Sequence, residues 1–597
     1  MKALGRFLSD YRWLILTAGA VASFVLGVIG WSKFLPDAYP HRHVNVSDAV
    51  YWSFKGFFFN SPSMPGLPTE LDISRFLAPV VAGWAGLSAV GLLFRDRIQQ
   101  MRIPLMRNHV VICGLGDYVG SVFLRQLRDE RIGVVVIERD AANPNIELCR
   151  SLGVPVIIGD AQRERTLQSA GTQRAWRVLA ITPDDAANTQ IVAMARVLPG
   201  SRDRRCLALV TNPEFCRLLR IQEAQRGDPE LSVDFFNIDE ISARLLLEDF
   251  PLDTDRDQPH IVVAHLDPLG AWLVYHAARA WFDNRGGNPA PLVVTVLDQH
   301  ARERVEELLS EHPALEKACQ FNTFSPTPRD LGRLAEYLRD PATPQISRAY
   351  VTAYRDEQVL ETALTLRHEL DSTVPVVAAL SLPQGVASLL DDVKDAGLLT
   401  NFEMFSSTER TATVELVRGG SFEQLAHAIH ELWRKEQISA GKPDPTWQDV
   451  NESRRESSRD QARDIPVKLR MIGCAIAPLR DWGAKDFTFS PAEIDVLAIA
   501  EHERWNRDRI ASGWTLIDLP TADDPQQAKR LLEEARQRNQ TPYLLPWDAL
   551  SQRYPDVAEF DRMFVREIPS ILAAAGLQVI RTPIKPTADV STEGDGE

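Results

Sequence analysis

The chain has 597 residues, of which 45% are hydrophobic and 25% charged, and its formal net charge at pH 7 is -15. This length exceeds a single domain, and the acidic balance argues against non-specific nucleic-acid binding as the main task. The six cysteines are scattered without a CxxC pair, which disfavours a zinc cluster and a disulfide framework. We expect three or four mostly globular domains in a reducing compartment.

Two charge-free apolar runs, residues 13–31 and 76–94, dominate the start of the chain. Each is about long enough to cross a ~30 Å hydrocarbon core as a helix. Positive charges beside both outer ends predict a multi-pass protein of the cell membrane with both termini in the cytoplasm. A cleaved signal peptide is the weaker alternative for the first run, because that run is long and a second one follows. Residues 1–104 are predicted to form a transmembrane hairpin.

A short aromatic segment, residues 48–54 (DAVYWSF), lies between the two runs. It resembles the pore helix of two-helix potassium channels, and by that resemblance it is re-entrant. The filter of that family then falls on Phe59, Asn60, Ser61, Pro62 and Ser63. A potassium filter needs glycines to aim its carbonyls at the ion, and this stretch has none. We therefore expect a wider cation pore of uncertain selectivity, or a hairpin that only anchors and oligomerises the chain.

A nucleotide-binding pattern follows in residues 109–120 (HVVICGLGDYVG), a β-branched run with a turn that holds Gly114, Gly116 and Gly120. A glycine turn at a helix N-terminus can hold a pyrophosphate on free N–H groups. The next strand ends at Glu138, where a carboxylate would bind ribose hydroxyls. The last glycine comes one position late for this pattern, which leaves the ligand open.

These residues resemble the RCK domain, also called TrkA-N, which regulates potassium conductance. The resemblance continues through residues 159–161 (GDA) and 181–188 (ITPDDAAN), and it adds Asp160, Thr182 and Asp184 to the nucleotide-binding candidates. It implies an RCK domain over residues 105–257 with NAD(H) or an adenine nucleotide (ATP or ADP) as regulatory ligand. A Rossmann unit without ligand is the alternative. We expect no enzyme and no catalytic residues, because no domain with an acid–base pair follows.

An internal repeat indicates a second unit of the same kind. Residues 178–196 align without gaps on residues 349–367, and residues 260–270 (HIVVAHLDPLG) mirror the first glycine turn. His265 and Asp267 replace the glycines there, and a carboxylate at the phosphate position repels phosphate. We interpret residues 258–441 as a second, degenerate RCK-like unit with a scaffolding role. Two such units per chain imply, by the family resemblance, a homotetramer with a ring of eight units.

The C-terminal part begins with a predicted linker at residues 442–445. A predicted helix over residues 494–510 contains residues 501–505 (EHERW) and stops before Gly513. With the Arg-x-Ile-Pro of residues 566–569, this pattern resembles the RyR domain of ryanodine receptors, which implies a ligand-sensing module over residues 442–585. Candidate ligand contacts are Arg454, Arg455, Arg504, Trp505 and Trp514, with the tryptophans on an adenine and an arginine on phosphate.

The alternative without a ligand is that those tryptophans belong to a hydrophobic core and those arginines form surface salt bridges. A metal site at Glu501-His502-Glu503 is disfavoured, since His502 lacks an i+4 histidine. Residues 586–597 are acidic and are expected to be a disordered tail.

The predicted fold class is therefore a membrane α-helical hairpin with a re-entrant pore helix, two α/β Rossmann-like RCK units and a mainly α-helical RyR-like domain. The expected function is a ligand-gated ion channel whose partners are the lipid bilayer, a nucleotide-like ligand and further copies of the chain. The alternatives are a membrane-anchored receptor without conductance and a tethered NAD-dependent oxidoreductase. We expect no metal and no nucleic acid.

Overall fold

The computed structural model divides the chain into two compact units, Met1–Arg102 and Ile103–Glu597. It describes residues 12–40, 43, 45–58, 67–93, 95–116, 118–199, 205–226, 233–253, 255–285, 288–326, 333–334, 336–338, 340–381, 400–420, 422–439, 445–447, 449–519 and 525–582. The predicted filter residues 59–63, most of the predicted linker and the predicted tail 586–597 lie outside the described residues.

The first unit is helical: α1 Arg12–Ala38, α2 Val46–Gly56, α3 Thr69–Leu93 and α4 Arg95–Gln100. Small residues bring α1 and α3 close together, as membrane helices often require. A Cβ on Gly30 would lie 2.6 Å from the backbone nitrogen of Leu71, so only glycine fits there. The Ser74 hydroxyl donates to the Ser23 carbonyl across the same interface at 2.8 Å.

The segment predicted as a pore helix is the 11-residue helix α2, which is too short to cross a membrane. It packs on α1 through Trp52, whose ring centre lies 5.0 Å from that of Trp31. Among the described residues one helix, Leu14–Ala38, is both long and apolar enough to span a membrane, and it lies near the N-terminus. The second span and the multi-pass topology stay predictions.

Large apolar side chains are nonetheless exposed on both long helices. They include Leu14, Val21 and Val25 on α1 and Phe76, Val80 and Leu87 on α3. Leu87 is 74% exposed and Phe76 is 66% exposed. Scattered single hydrophobic residues are ordinary on a protein surface, but here the exposed side chains recur along two helices. Recurrent exposed apolar side chains of this kind are typical of surfaces that contact a membrane or another protein.

The second unit begins with a six-stranded parallel sheet. Its strands are β1 Val110–Cys113, β2 Val134–Glu138, β3 Val156–Ile158, β4 Arg177–Ala180, β5 Arg205–Leu209 and β6 Val233–Phe236. The helices are α5 Val119–Asp129, α6 Asn145–Ser151, α7 Glu164–Ser169, α8 Asp185–Val197, α9 Pro213–Arg226 and α10 Ile238–Asp249. The strand order β3-β2-β1-β4-β5-β6 is that of a Rossmann fold.

A second six-stranded parallel sheet repeats this order as β9-β8-β7-β10-β11-β12. Its strands are β7 His260–Ala264, β8 Leu292–Leu297, β9 Cys319–Phe324, β10 Ile346–Val351, β11 Val376–Leu380 and β12 Phe402–Ser406. The helices are α11 Pro268–Asn284, α12 Ala301–Glu311, α13 Leu315–Ala318, α14 Asp356–Glu369, α15 Ser407–Thr411 and α16 Val414–Gly419. The prediction of two Rossmann-like units is confirmed.

The two sheets exchange helices. Leu246 of α10, which follows the first sheet, packs into the core of the second sheet. Val417 of α16, which follows the second sheet, packs into the core of the first. The buried Arg177 of β4 seals this exchange, because its Nε donates to the Val417 carbonyl at 2.7 Å. The two sheets therefore share their cores.

The C-terminal part is mainly helical. It contains α17 Phe422–Ser439, α18 Glu452–Met471, α19 Pro491–Ala511, α20 Pro525–Gln537, α21 Trp547–Arg553 and α22 Pro555–Ala574. Two small sheets pair β13 Cys474–Pro478 with β16 Leu577–Arg581, and β14 Thr515–Leu516 with β15 Gln540–Thr541. Short 3-10 turns lie at Ile103–Leu105 before β1, at Thr172–Arg174 before β4 and at Trp482–Asp486 after β13.

Candidate nucleotide-binding site

The candidate site lies at the carboxyl ends of the first sheet's strands. Neighbours β1 and β4 carry the chain away in opposite directions, since β2 and β3 lie on one side and β5 and β6 on the other. The loops after β1 and β4 therefore diverge and open a crevice, the place where α/β folds bind ligands. The loop after β1 holds Gly114 and Gly116, and Thr182 follows β4.

Each glycine of the turn has a definite steric reason. Gly114 has φ of +87° and lies against Thr182, whose Cγ2 would be 2.7 Å from a Cβ at this position. Gly116 has φ of +57°, and a Cβ there would meet only the Ile181 carbonyl oxygen, at 3.7 Å. The turn thus keeps space beside Gly116, where a phosphate would lie.

Gly120 explains the glycine that comes one position late. A Cβ on Gly120 would lie 2.2 Å from the carbonyl oxygen of Leu115, so glycine lets α5 start directly against the turn. Tyr118 at the N-cap of α5 forms no side-chain capping hydrogen bond among the residues that the structure describes. The first backbone N–H groups of a helix have no partner within the helix and carry partial positive charge, which suits an anion.

Glu138 at the end of β2 holds the turn in place. One carboxylate oxygen accepts from the Leu115 N–H at 2.9 Å, and the other accepts from the Asp140 N–H at 2.9 Å. The carboxylate is buried, with 7% of the residue exposed. Glu138 therefore orders the phosphate turn, and its predicted contact with ribose stays a prediction.

The remaining predicted residues lie at the same edge of the sheet in supporting roles. Asp160 after β3 accepts from the Gln162 N–H at 3.0 Å. Asp184 caps α8 by accepting from the Ala186 N–H at 2.9 Å. Thr182 is clamped by Asn188, whose amide oxygen accepts from both the N–H and the hydroxyl of Thr182 at 2.8 Å.

Sequence reasoning did not single out Asn188 as a site residue. It is fully buried on α8, and its amide nitrogen donates to the Thr182 and Leu209 carbonyls at 2.8 and 3.0 Å. A polar residue on the core face of an amphipathic helix was the available signal. Asn145 was also missed; its amide donates to the Gly116 carbonyl at 3.0 Å.

The second unit has the same frame with its phosphate position filled. Asp267 caps α11 by accepting from the Gly270 N–H at 2.9 Å. Burial raises the pKa of Asp267, yet the side chain still takes the N-terminal donors that an anion would need. His265 has φ of +64°, the counterpart of the strained glycine in the first turn. This arrangement agrees with the scaffolding interpretation.

The candidate residues of the C-terminal part fall into two groups. Arg504 is buried and bonded to Glu501, whose oxygen lies 2.6 Å from Nη2. Arg455 donates to the Trp447 carbonyl at 2.9 Å. Arg454 is exposed and lies over the ring of Trp433, while Trp505 and Trp514 are half-buried beside Arg509. Gly513 before Trp514 has the φ of +80° expected of a helix cap.

His502 beside them is a structural histidine. Its Nδ1 lies 3.3 Å from a carboxylate oxygen of Asp561, and its Nε2 lies 2.9 Å from the Leu545 carbonyl. Burial opposes protonation, but these hydrogen bonds outweigh it and raise the pKa of His502. Within the described part of the chain no group of three or more His, Cys, Asp and Glu side chains could hold a metal ion.

The chain is similar to known proteins over part of its length. Residues 110–226 match the TrkA-N domain. Potassium channel protein 1 of Methanocaldococcus jannaschii is 30% identical over 105 residues, 18% of this chain and 31% of that protein. Probable potassium channel protein 2 of the same organism is 24% identical over 244 residues, 40% of this chain and 68% of that protein.

The chain thus spans about a third of the length of potassium channel protein 1. Among solved structures, the GsuK channel bound to NAD is 12% identical with a TM-score of 0.36, covering 82% of this chain and 88% of that one. The glycine turn and the Rossmann strand order agree with the match of residues 110–226 to the TrkA-N domain.

Proposed function

We propose that this chain is a nucleotide-regulated ion channel of the RCK type. The observation that carries the proposal is the succession, within one chain, of long helices with exposed apolar faces and a TrkA-N domain with an open phosphate turn. The proposed pore unit is the two-helix hairpin, with both termini in the cytoplasm and a homotetramer closing the pore. The proposed domains are 1–104, 105–257, 258–441 and 442–585.

The proposed ligand is NAD(H) or an adenine nucleotide at the first glycine turn. Gly116 leaves space for a phosphate, and no side chain in the described part of the chain caps the N-terminus of α5. A ligand that binds one state of the cytosolic unit more tightly shifts the gating equilibrium by its difference in affinity. The role of the protein at this site is regulatory, with no chemical step.

The experiment measures cation flux through liposomes that hold the purified full-length protein, with NAD⁺, NADH, ATP, ADP and ADP-ribose added one at a time. Gly116→Asp is the test variant, because aspartate tolerates positive φ and places a carboxylate where Asp267 lies in the second unit. Gly116→Asn is the matched control, of equal size and without charge. We expect nucleotide-dependent flux that is lost in Gly116→Asp and largely kept in Gly116→Asn.

Three outcomes would contradict the proposal. Nucleotide binding without flux would indicate the membrane-anchored receptor, and turnover of NADH followed by absorbance would indicate the tethered oxidoreductase. Flux that is indifferent to every nucleotide would keep the pore and remove the regulation.

A further inference from the structure

Three helices of the C-terminal part bring arginines to one place. Arg509 lies in the last turn of α19, and Arg536 lies in the last turn of α20. The strands that follow, β14 and β15, pair in parallel with Thr515 opposite Gln540, so both helices end at the same edge. Arg454 lies in the first turn of α18, within electrostatic reach of Arg536 and Arg509.

Aromatic rings flank these arginines. The Arg454 guanidinium lies 3.7 Å from the ring centre of Trp433. The Arg509 guanidinium lies 4.8 Å from the ring centre of Trp514 and 5.4 Å from that of Trp505. A guanidinium on a ring keeps the N–H groups along its edge available, and a ring of this kind is also a stacking surface for a planar ligand.

The positive charges of this group are not neutralised. None of the three arginines forms an ion pair within the described part of the chain. Burial lowers the pKa of Arg454, and the nearby Arg536 and Arg509 lower it further. Burial and Arg536 likewise lower the pKa of Arg509; Asp508 partly offsets this, although its carboxylate is bonded to Arg504.

Other arginines of the same unit are arranged differently. A cavity of about 780 Å³ between the two sheets and the C-terminal part is lined by several arginines. There Arg220 lies 2.8 Å from Glu240 and Arg463 lies 2.6 Å from Asp460. Paired arginines stabilise an interface, whereas like charges held together without acids cost free energy that a bound anion would recover.

We infer that Arg454, Arg509, Arg536, Trp505 and Trp514, here called the basic aromatic cluster, bind a phosphorylated ligand with an aromatic ring, of the nucleotide class. The guanidinium groups take the phosphates, and the half-buried ring of Trp514 or Trp505 stacks on the base. This is a second site, separate from the glycine turn. The inference rests on the proposed function only for its regulatory meaning. Ligand binding at the basic aromatic cluster does not depend on whether the protein conducts ions.

The test uses isothermal titration calorimetry on the full-length protein carrying Gly116→Asp, so that the first site is silent. The probes are ADP, adenosine and pyrophosphate. We expect ADP to bind more tightly than either half, and Arg509→Gln or Arg536→Gln to weaken ADP by about tenfold or more. Trp514→Leu should weaken ADP by about tenfold and leave pyrophosphate unchanged.

Arg538→Gln is the matched control, since Arg538 is exposed and lies two residues beyond Arg536 with the same charge. It should bind ADP as the parent does, and unchanged melting temperatures would show that all variants are folded. The inference is overturned if the Gly116→Asp protein binds no ADP, or if ADP binds equally well to the Arg509→Gln and Arg536→Gln variants. Cluster-dependent ADP binding without any flux would leave this inference standing and remove the channel.

Discussion

The two Rossmann-like units share one backbone frame and differ in the side chains at the first turn. In the first, the Leu115 N–H donates to Glu138 at 2.9 Å; in the second, the Leu266 N–H donates to Asp298 at 3.0 Å. The strand orders are the same, and both turns pack a glycine of the following helix against a turn carbonyl. The carboxylate at the end of the second strand thus belongs to the architecture of the turn, whether or not a ligand binds there.

The difference lies in one side chain at the helix N-terminus. Gly116 leaves that position open in the first unit, while Asp267 fills it in the second and takes the N–H of Gly270. An anion needs those donors and is repelled by that carboxylate. The comparison teaches that one aspartate is enough to occupy an N-terminal donor that the proposed anion site of the first unit needs.

The largest expected effect comes from replacing the glycine that packs against each turn. Gly120→Ala places a Cβ 2.2 Å from the Leu115 carbonyl oxygen, and Gly270→Ala places one 2.5 Å from that of His265. Both backbones must shift, so each variant should lose about 1–3 kcal/mol of unfolding free energy. Only Gly120→Ala should also abolish calorimetric ADP binding at the first site. Intact ADP affinity in Gly120→Ala at that site would contradict the comparison.

A smaller effect concerns the clamp on Thr182. Asn188 is replaced by Val359 at the matching position of the repeat, and both are fully buried. Asn188→Val removes the partners of Thr182 and Leu209 and should cost about 2 kcal/mol in chemical denaturation. Val359→Asn, the reciprocal control, should also destabilise the protein, because it buries an amide without partners. Equal stability of Asn188→Val and the wild type would show that the clamp is dispensable.

The smallest effect depends on pH. Burial raises the pKa of Asp239 on α10 to about 7, and the neighbouring Asp267 adds to the rise. Folding therefore favours the protonated acid, and wild-type stability falls as pH rises from about 4 to above 7. Asp239→Asn should raise stability at pH 8 by on the order of 1 kcal/mol after solvent screening, and by nothing near pH 4. Thermal melts at both pH values check this prediction. An equal gain in stability at pH 4 and pH 8 would show that repulsion between the two carboxylates does not cause it.

Local patterns predicted much of the fold because they report on one element or one turn. The β-branched strands, the glycine turn and the gapless repeat of residues 178–196 on 349–367 foretold two Rossmann-like units. The helix predicted over residues 494–510 is observed at Pro491–Ala511. The exchange of α10 and α16 was not foreseen, since periodicity shows that a helix has an apolar face and not which sheet covers it.

The sequence by itself determined the difference between the two turns, because glycine or aspartate at a helix N-terminus is a local choice that the proposed anion site depends on. Only the tertiary structure decided which arginines of the C-terminal part stand together. Arg455 and Arg504 form hydrogen bonds and ion pairs, while Arg509 and Arg536 lie in the last turns of two helices whose following strands pair in parallel. Electrostatic partners are set by distance in space, and residues far apart in the chain acquire that distance only when the elements between them pack.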